Sequence, residues 1–174
     1  HAISAPYRLD CALTYRFDGS ENPASATHKN VTRELTSEEW KTIIDKAWDA
    51  TIPHLIFTGG EPTLRPDLPD LLAIAEQHGQ VTGLITNGLR LVDRDYFEHL
   101  ASQGLDHLML ILDPDNEKCW DALKVILPDD LFTAVHLTIT QDNQAQVTQV
   151  LQRLAEMGTN AISLSINDPS LHPI

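Results

Sequence analysis

Cysteine is almost missing from this chain: only Cys11 and Cys119 occur in 174 residues. They lie far apart and form no ligand spacing, which excludes a disulfide framework and a zinc site of the usual kinds, so each reads as a small buried apolar residue. Basic residues are also scarce. Twelve Lys and Arg face 25 Asp and Glu, for a net charge of −13 and a pI near 4.8. The few cations are scattered, so phosphate neutralisation of the kind that drives nucleic-acid binding is not expected. No apolar run approaches the roughly 20 residues that span a bilayer. The opening His1-Ala2-Ile3-Ser4 lacks the basic and apolar regions of a signal peptide. The expectation is a cytoplasmic protein with neither nucleic acid nor membrane as partner. A Gly-x-Gly-x-x-Gly loop, a Walker-type loop and a Gly-x-Ser-x-Gly elbow are all missing, so nothing supports a nucleotide phosphate site. The histidines, among them His54, His78, His99, His107 and His136, fall one per element without metal-ligand spacing and read as solvated or core-satisfied groups.

What is present is a regular alternation of two periodicities. With 42% hydrophobic residues, the chain can build the core of one domain over 1–174. Residues 7–16 alternate, with Tyr7, Leu9, Cys11, Leu13 and Tyr15 on one side, and predict a first strand. Residues 17–30 carry Gly, Pro, Ser and Asn without a period and predict a long loop, taken with its flanks as 18–35. Thr36-Ser37-Glu38-Glu39 is a capping box that starts a helix, and Trp40, Ile43, Ile44, Ala47 and Trp48 give that helix an apolar face with both tryptophans as core anchors. Strands are predicted at 54–58, 81–86, 107–112, 132–140 and 161–166. Helices are predicted at 68–78, after Asp93, around 116–127 and at 143–157, with Gly79, Gly104 and Gly158 as stops. Six strands and five helices in alternation imply an α/β fold with a parallel sheet and right-handed crossovers. Periodicity alone leaves two arrangements open, a barrel wall and a doubly wound open sheet.

The strands end in polar residues: Tyr15-Arg16, Gly59-Gly60-Glu61, Thr86-Asn87, Asp113, Thr140 and Asn167. In parallel α/β folds ligands bind at these carboxyl ends. The most informative stretch is Phe57-Thr58-Gly59-Gly60-Glu61-Pro62-Thr63. Two glycines permit close backbone approach, Glu61 adds a carboxylate and Pro62 stiffens the exit. At this rim Arg16 is the only arginine expected and no lysine is expected, so the mouth should be acidic, should reject anionic phosphates and should suit a small zwitterion.

Leu13-Thr14-Tyr15-Arg16, the 57–65 segment, Thr86-Asn87-Gly88 and Leu112-Asp113 together resemble, in order, the strand motifs of the radical S-adenosylmethionine (SAM) superfamily. The resemblance implies a partial (β/α)6 TIM-like barrel with a parallel six-stranded sheet. It further implies that Gly59, Gly60, Glu61 and Pro62 receive the SAM amino group, with Thr86, Asn87 and Asp113 completing a cofactor rim. In the family, three cysteines of a CxxxCxxC loop after the first strand hold a 4Fe-4S cluster. The corresponding positions here are Phe17, Glu21 and Ala24, which supply no thiolate. No 4Fe-4S cluster is therefore expected, although the family implies one, and no metal ligand is assigned; whether SAM is retained is left open. The resulting expectation is a degenerate, non-catalytic structural or partner-binding module working with a catalytic relative or with other domains of a larger protein. The alternative is an enzyme that keeps SAM or an amino-acid-like ligand at Glu61, Asn87 and Asp113. No catalytic residue can be assigned.

Overall fold

The structure, a computed structural model, describes residues 6–17 and 33–166. Most of the loop expected over 18–35, with Glu21 and Ala24, and the strand end at Asn167 lie outside the described residues. Six strands and five α-helices alternate among those described: β1 (Arg8–Thr14), α1 (Ser37–Asp49), β2 (His54–Gly59), α2 (Leu68–His78), β3 (Val81–Thr86), α3 (Arg94–Ser102), β4 (His107–Ile111), α4 (Glu117–Ile126), β5 (Phe132–Ile139), α5 (Val147–Met157) and β6 (Ala161–Ile166).

Every strand pairs in parallel with its sequence neighbour, in the order β1-β2-β3-β4-β5-β6. This order decides between the two arrangements left open by periodicity. A doubly wound sheet reverses direction at a switch point, whereas this one never does. Right-handed crossovers along a single direction put all the helices on one face. Since β1 and β6 do not pair with each other, the wall is an open, partial cylinder.

Register separates the two faces. Cys11, Phe57 and Leu84 lie side by side across β1, β2 and β3. Leu108 continues the row from Leu84, and Leu110 lies beside Val135. These residues share one buried cluster with Ile44, Leu72, Phe97, Leu100, Trp120, Leu123 and Leu154 of the helices. The opposite, concave face carries Asp10, His54, Thr58, His107, His136, Thr138, Ser163 and Ser165. There the imidazole of His136 is satisfied by the hydroxyls of Ser163 and Ser165, each 3.1 Å away. Burial holds His107 below its ordinary value, opposed by Asp106 and reinforced by the nearby His54 and Arg8.

Most helix boundaries follow from local chemistry. The Thr36 hydroxyl accepts from the Glu39 amide while the Glu39 carboxylate accepts from the Thr36 amide, completing the capping box. Asp93 and Asn116 cap α3 and α4 by accepting from first-turn amides, without the reciprocal bond. At the last helix the start differs from expectation: 144–146 form a 3-10 turn and the α-helix begins at Val147, because the Asn143 side chain is drawn back to the Thr138 carbonyl and the Thr140 amide.

The tryptophans of α1 part company. Trp40 is 7% exposed and packs in the core, but Trp48 is 45% exposed, correcting its assignment as an anchor. It lies flat against His78 at 5.7 Å, and His78 bonds Asp45 at 2.8 Å. At roughly 100° per residue Trp48 lies about 80° around α1 from Trp40, off the buried stripe, and the aromatic partner on α2 gives it a place at the surface. In urea denaturation Trp40→Ala should cost about 3–5 kcal/mol, as large core deletions do, and Trp48→Ala under about 1 kcal/mol; equal losses would contradict the separation.

Candidate functional site

Strand β1 runs past its last ladder position and meets the end of β2. The Gly60 amide donates to the Thr14 carbonyl and the Glu61 amide to the Arg16 carbonyl, both at 2.7 Å. Contact this close needs residues without side chains. A Cβ on Gly59, whose φ is +137°, would lie 2.2 Å from the Thr14 oxygen, and one on Gly60 would lie 2.2 Å from the Arg16 oxygen. The glycines are thus spent first on the neighbouring strand. The Gly60 carbonyl accepts no hydrogen bond from the described residues and remains available to a donor.

Glu61 is not an open acceptor at a mouth. It is 2% exposed. Its Oε1 accepts from the Thr63 amide at 3.0 Å, the Thr63 hydroxyl at 2.5 Å and the Thr86 hydroxyl at 2.7 Å. Its Oε2 accepts from the Asn87 amide at 2.7 Å. One carboxylate therefore ties the β2 exit to the β3 exit, with Pro62 buried at the start of the 3-10 turn between them. Thr86 passes the linkage on by accepting from the Gly88 amide, and the Asn87 side chain accepts from the Leu89 amide. Gly59, Gly60, Glu61, Pro62, Thr86 and Asn87 are brought together at the β2 and β3 exits. Asp113 is not joined to them: it is exposed, and its carboxylate accepts from the Asp115 amide two residues on, the geometry of a turn.

The site also contains groups the sequence reading missed. Arg65, with its side chain 8% exposed, grips Asp67 through two bonds of 2.8 and 2.6 Å and donates to the Leu13 and Leu35 carbonyls. Glu34 accepts from the Thr14 hydroxyl and the Tyr15 amide and lies 3.7 Å from Arg16. This network closes the exit of β1 onto the start of α1. Arg90 donates to the Thr63 carbonyl and lies over the Tyr96 ring at 4.4 Å. The rim is consequently not without cations: Arg65 and Arg90 join Arg16, overturning the expectation that Arg16 stands alone. Neither is adjacent to a strand end in sequence; turns and the Pro62–Leu64 3-10 segment carry them there.

Among the described residues the donor set does not fit an iron-sulfur cluster. Phe17, at the β1 exit, is exposed and carries no ligating atom. Both thiols are buried in the helix-side core, at 2% for Cys11 and 1% for Cys119. Burial, then the nearby Asp10 charge, push the Cys11 thiol up to about 12, so it is no thiolate at neutral pH. Among the described residues no group of three or more His, Cys, Asp or Glu could hold a metal ion.

Comparison with known proteins places these features in a family. Residues 18–139 match the model of the Radical SAM superfamily. A PqqA peptide cyclase of Granulibacter bethesdensis is 30% identical over 181 aligned positions, covering 94% of this chain and 48% of that protein. An Fe-coproporphyrin III synthase of Methanosarcina barkeri is 41% identical over 80 residues, 46% of this chain and 20% of that protein. Among solved structures, Streptococcus suis SuiB bound to its precursor peptide SuiA superposes with a TM-score of 0.73 at 18% identity, covering 95% of this chain and 40% of that one. Native anSMEcpe with bound AdoMet gives 0.74 at 14% identity, covering 96% and 53%. These two share the fold, a partial barrel of six parallel strands alternating with helices. The chain spans about half the length of the PqqA peptide cyclases it matches.

The Arg65 network sets a pH dependence. Burial pushes the Asp67 carboxyl up, but the Arg65 and Ser37 hydrogen bonds and the Arg65 charge outweigh it and hold the group below its ordinary 3.8. With the folded value below the unfolded one, this contribution is complete above the unfolded value and lost as pH falls through the folded one. Asp67→Asn should lower stability at pH 7 by about 2 kcal/mol, and its deficit relative to the parent should shrink as the pH drops below 3.8. A deficit that stays constant through acidification would show that charge at Asp67 is irrelevant. Glu61→Ala should cost about 3 kcal/mol, because four donors lose their buried acceptor.

Proposed function

The chain belongs to the radical SAM superfamily, and from that membership we propose that it is a member without a cluster of its own, a non-catalytic module that binds a catalytic relative or other domains of a larger protein. The supporting observation is the donor set at the β1 exit. A 4Fe-4S cluster needs soft thiolates; the positions aligned with the family's three cysteines are Phe17, Glu21 and Ala24, and both thiols of the chain belong to the core. The Arg65, Asp67 and Glu34 network knits the β1 exit to α1. Without a cluster there is no electron source for reductive cleavage of SAM, and no radical step is assigned.

One observation favours the second reading, in which SAM or an amino-acid-like ligand is still held. The Gly60 carbonyl has no donor among the described residues, so an ammonium group has an acceptor beside an intact strand end. Such a ligand would be bound without the bidentate grip of an iron, and therefore weakly.

Anaerobic reconstitution with iron and sulfide, followed by calorimetric titration with SAM, separates the readings. The parent chain should retain no stoichiometric cluster and bind SAM weakly or not at all. A Phe17→Cys, Glu21→Cys, Ala24→Cys triple variant should gain iron and labile sulfide. Four irons per parent chain would overturn the proposal, and tight SAM binding to the iron-free parent would favour the second reading.

A further inference from the structure

The strongest unexplained feature outside the strand-end bracket is Arg90. All seven arginines of the chain fall among the described residues, and six of them pair with a carboxylate: Arg8, Arg16, Arg33, Arg65, Arg94 and Arg153. Arg90 pairs with none among the described residues, although acids outnumber bases 25 to 12. Its guanidinium is nonetheless held in place. One Nη1 hydrogen bond to the Thr63 carbonyl and the face of Tyr96 at 4.4 Å fix its plane. That leaves its Nε and Nη2, the edge that forms a two-pronged bond to a planar anion, without a partner among the described residues.

Arg90 lines a cavity of about 370 Å³ together with Leu89, Val92, Asp93, Tyr96 and Lys118. Lys118, at the start of α4, likewise has no carboxylate partner among the described residues. Two of the chain's uncommitted cations therefore converge on one cavity. Asp93 is committed elsewhere, accepting from the Asp95 and Tyr96 amides to cap α3. Two positive charges against one negative leave a net charge of +1, matched to a singly charged anion rather than to phosphate. Leu89, Val92 and the Tyr96 ring supply an apolar flank.

We infer that the cavity between the β3 exit and the start of α4 is a carboxylate subsite, taking a monoanionic carboxylate attached to an apolar or aromatic group. The carboxylate meets the Nε and Nη2 edge of Arg90 with the Lys118 ammonium beside it, and the apolar part lies along Tyr96 and Val92. The source is a free organic acid or an acidic side chain of a bound peptide. The inference does not depend on whether the domain is catalytic or binds SAM, because no residue of the proposed amine acceptor lines this cavity.

Titration of the full chain followed by backbone amide shifts tests it, with phenylacetate, acetyl-Glu-Leu-Phe-amide and inorganic phosphate as probes. At least one carboxylate should give saturable shifts at 89–93, Tyr96 and Lys118, weakening several-fold as salt is raised. Lys118→Gln, an exposed substitution that leaves the Thr63 contact intact, should weaken it at least fivefold. Arg90→Lys, which keeps the charge and loses the fork, should weaken it more than fivefold. Preference for phenylacetate identifies a small acid as the source, and preference for the peptide identifies a side chain. Phosphate binding as tight as either carboxylate, unchanged binding in both variants, or no saturable shift at the cavity would overturn the assignment.

Discussion

The close approach of β1 to the end of β2 constrains everything around it. Two backbone hydrogen bonds of 2.7 Å join the Gly60 and Glu61 amides to the Thr14 and Arg16 carbonyls, and only glycine fits at positions 59 and 60. That contact turns the Glu61 side chain inward, where its carboxylate collects donors from Thr63, Thr86 and Asn87. A buried carboxylate is costly unless it is hydrogen-bonded, and here four donors satisfy it. The exits of three strands are thereby locked in one geometry. The Gly-Gly-Glu-Pro segment is architecture before it is a ligand contact.

Charge is distributed unevenly around this lock. The chain carries −13 overall, yet arginines gather at the strand ends because carbonyls and carboxylates there need donors. Arg65 satisfies two loop carbonyls and Asp67 at once. Arg90 satisfies one carbonyl and lines a cavity beside it. The first closes the exit of β1 onto α1, and the second lies at a place that an anion fits. In a partial barrel both follow from the crossovers, since each strand-to-helix loop must return over the same rim.

Much of this was legible in the linear pattern. The strand at 81–86, the helix at 68–78 and the strand at 161–166 were read with the bounds the structure has, because alternating and helical apolar periods are local. The capping box at Thr36 and Glu39 and the caps at Asp93 and Asn116 are local in the same sense. The choice between a barrel wall and a doubly wound sheet was not legible, since it depends on which strands pair. Trp48 was misplaced because hydrophobic spacing alone does not show where a helix's buried stripe ends.

From its sequence alone the chain is an alternating α/β domain with a glycine-rich strand exit and two cysteines without ligand spacing, because element type, turn residues and residue spacing are properties of short stretches. Family membership was likewise legible in the order of short motifs. Only the tertiary structure decided that Glu61 is a satisfied, buried bracket, that Asp113 stands apart from it, and that Arg65 and Arg90 reach the rim. Those roles depend on distances between residues 25 to 52 positions apart. Strand register and crossover direction set such distances, and no stretch of sequence carries them by itself.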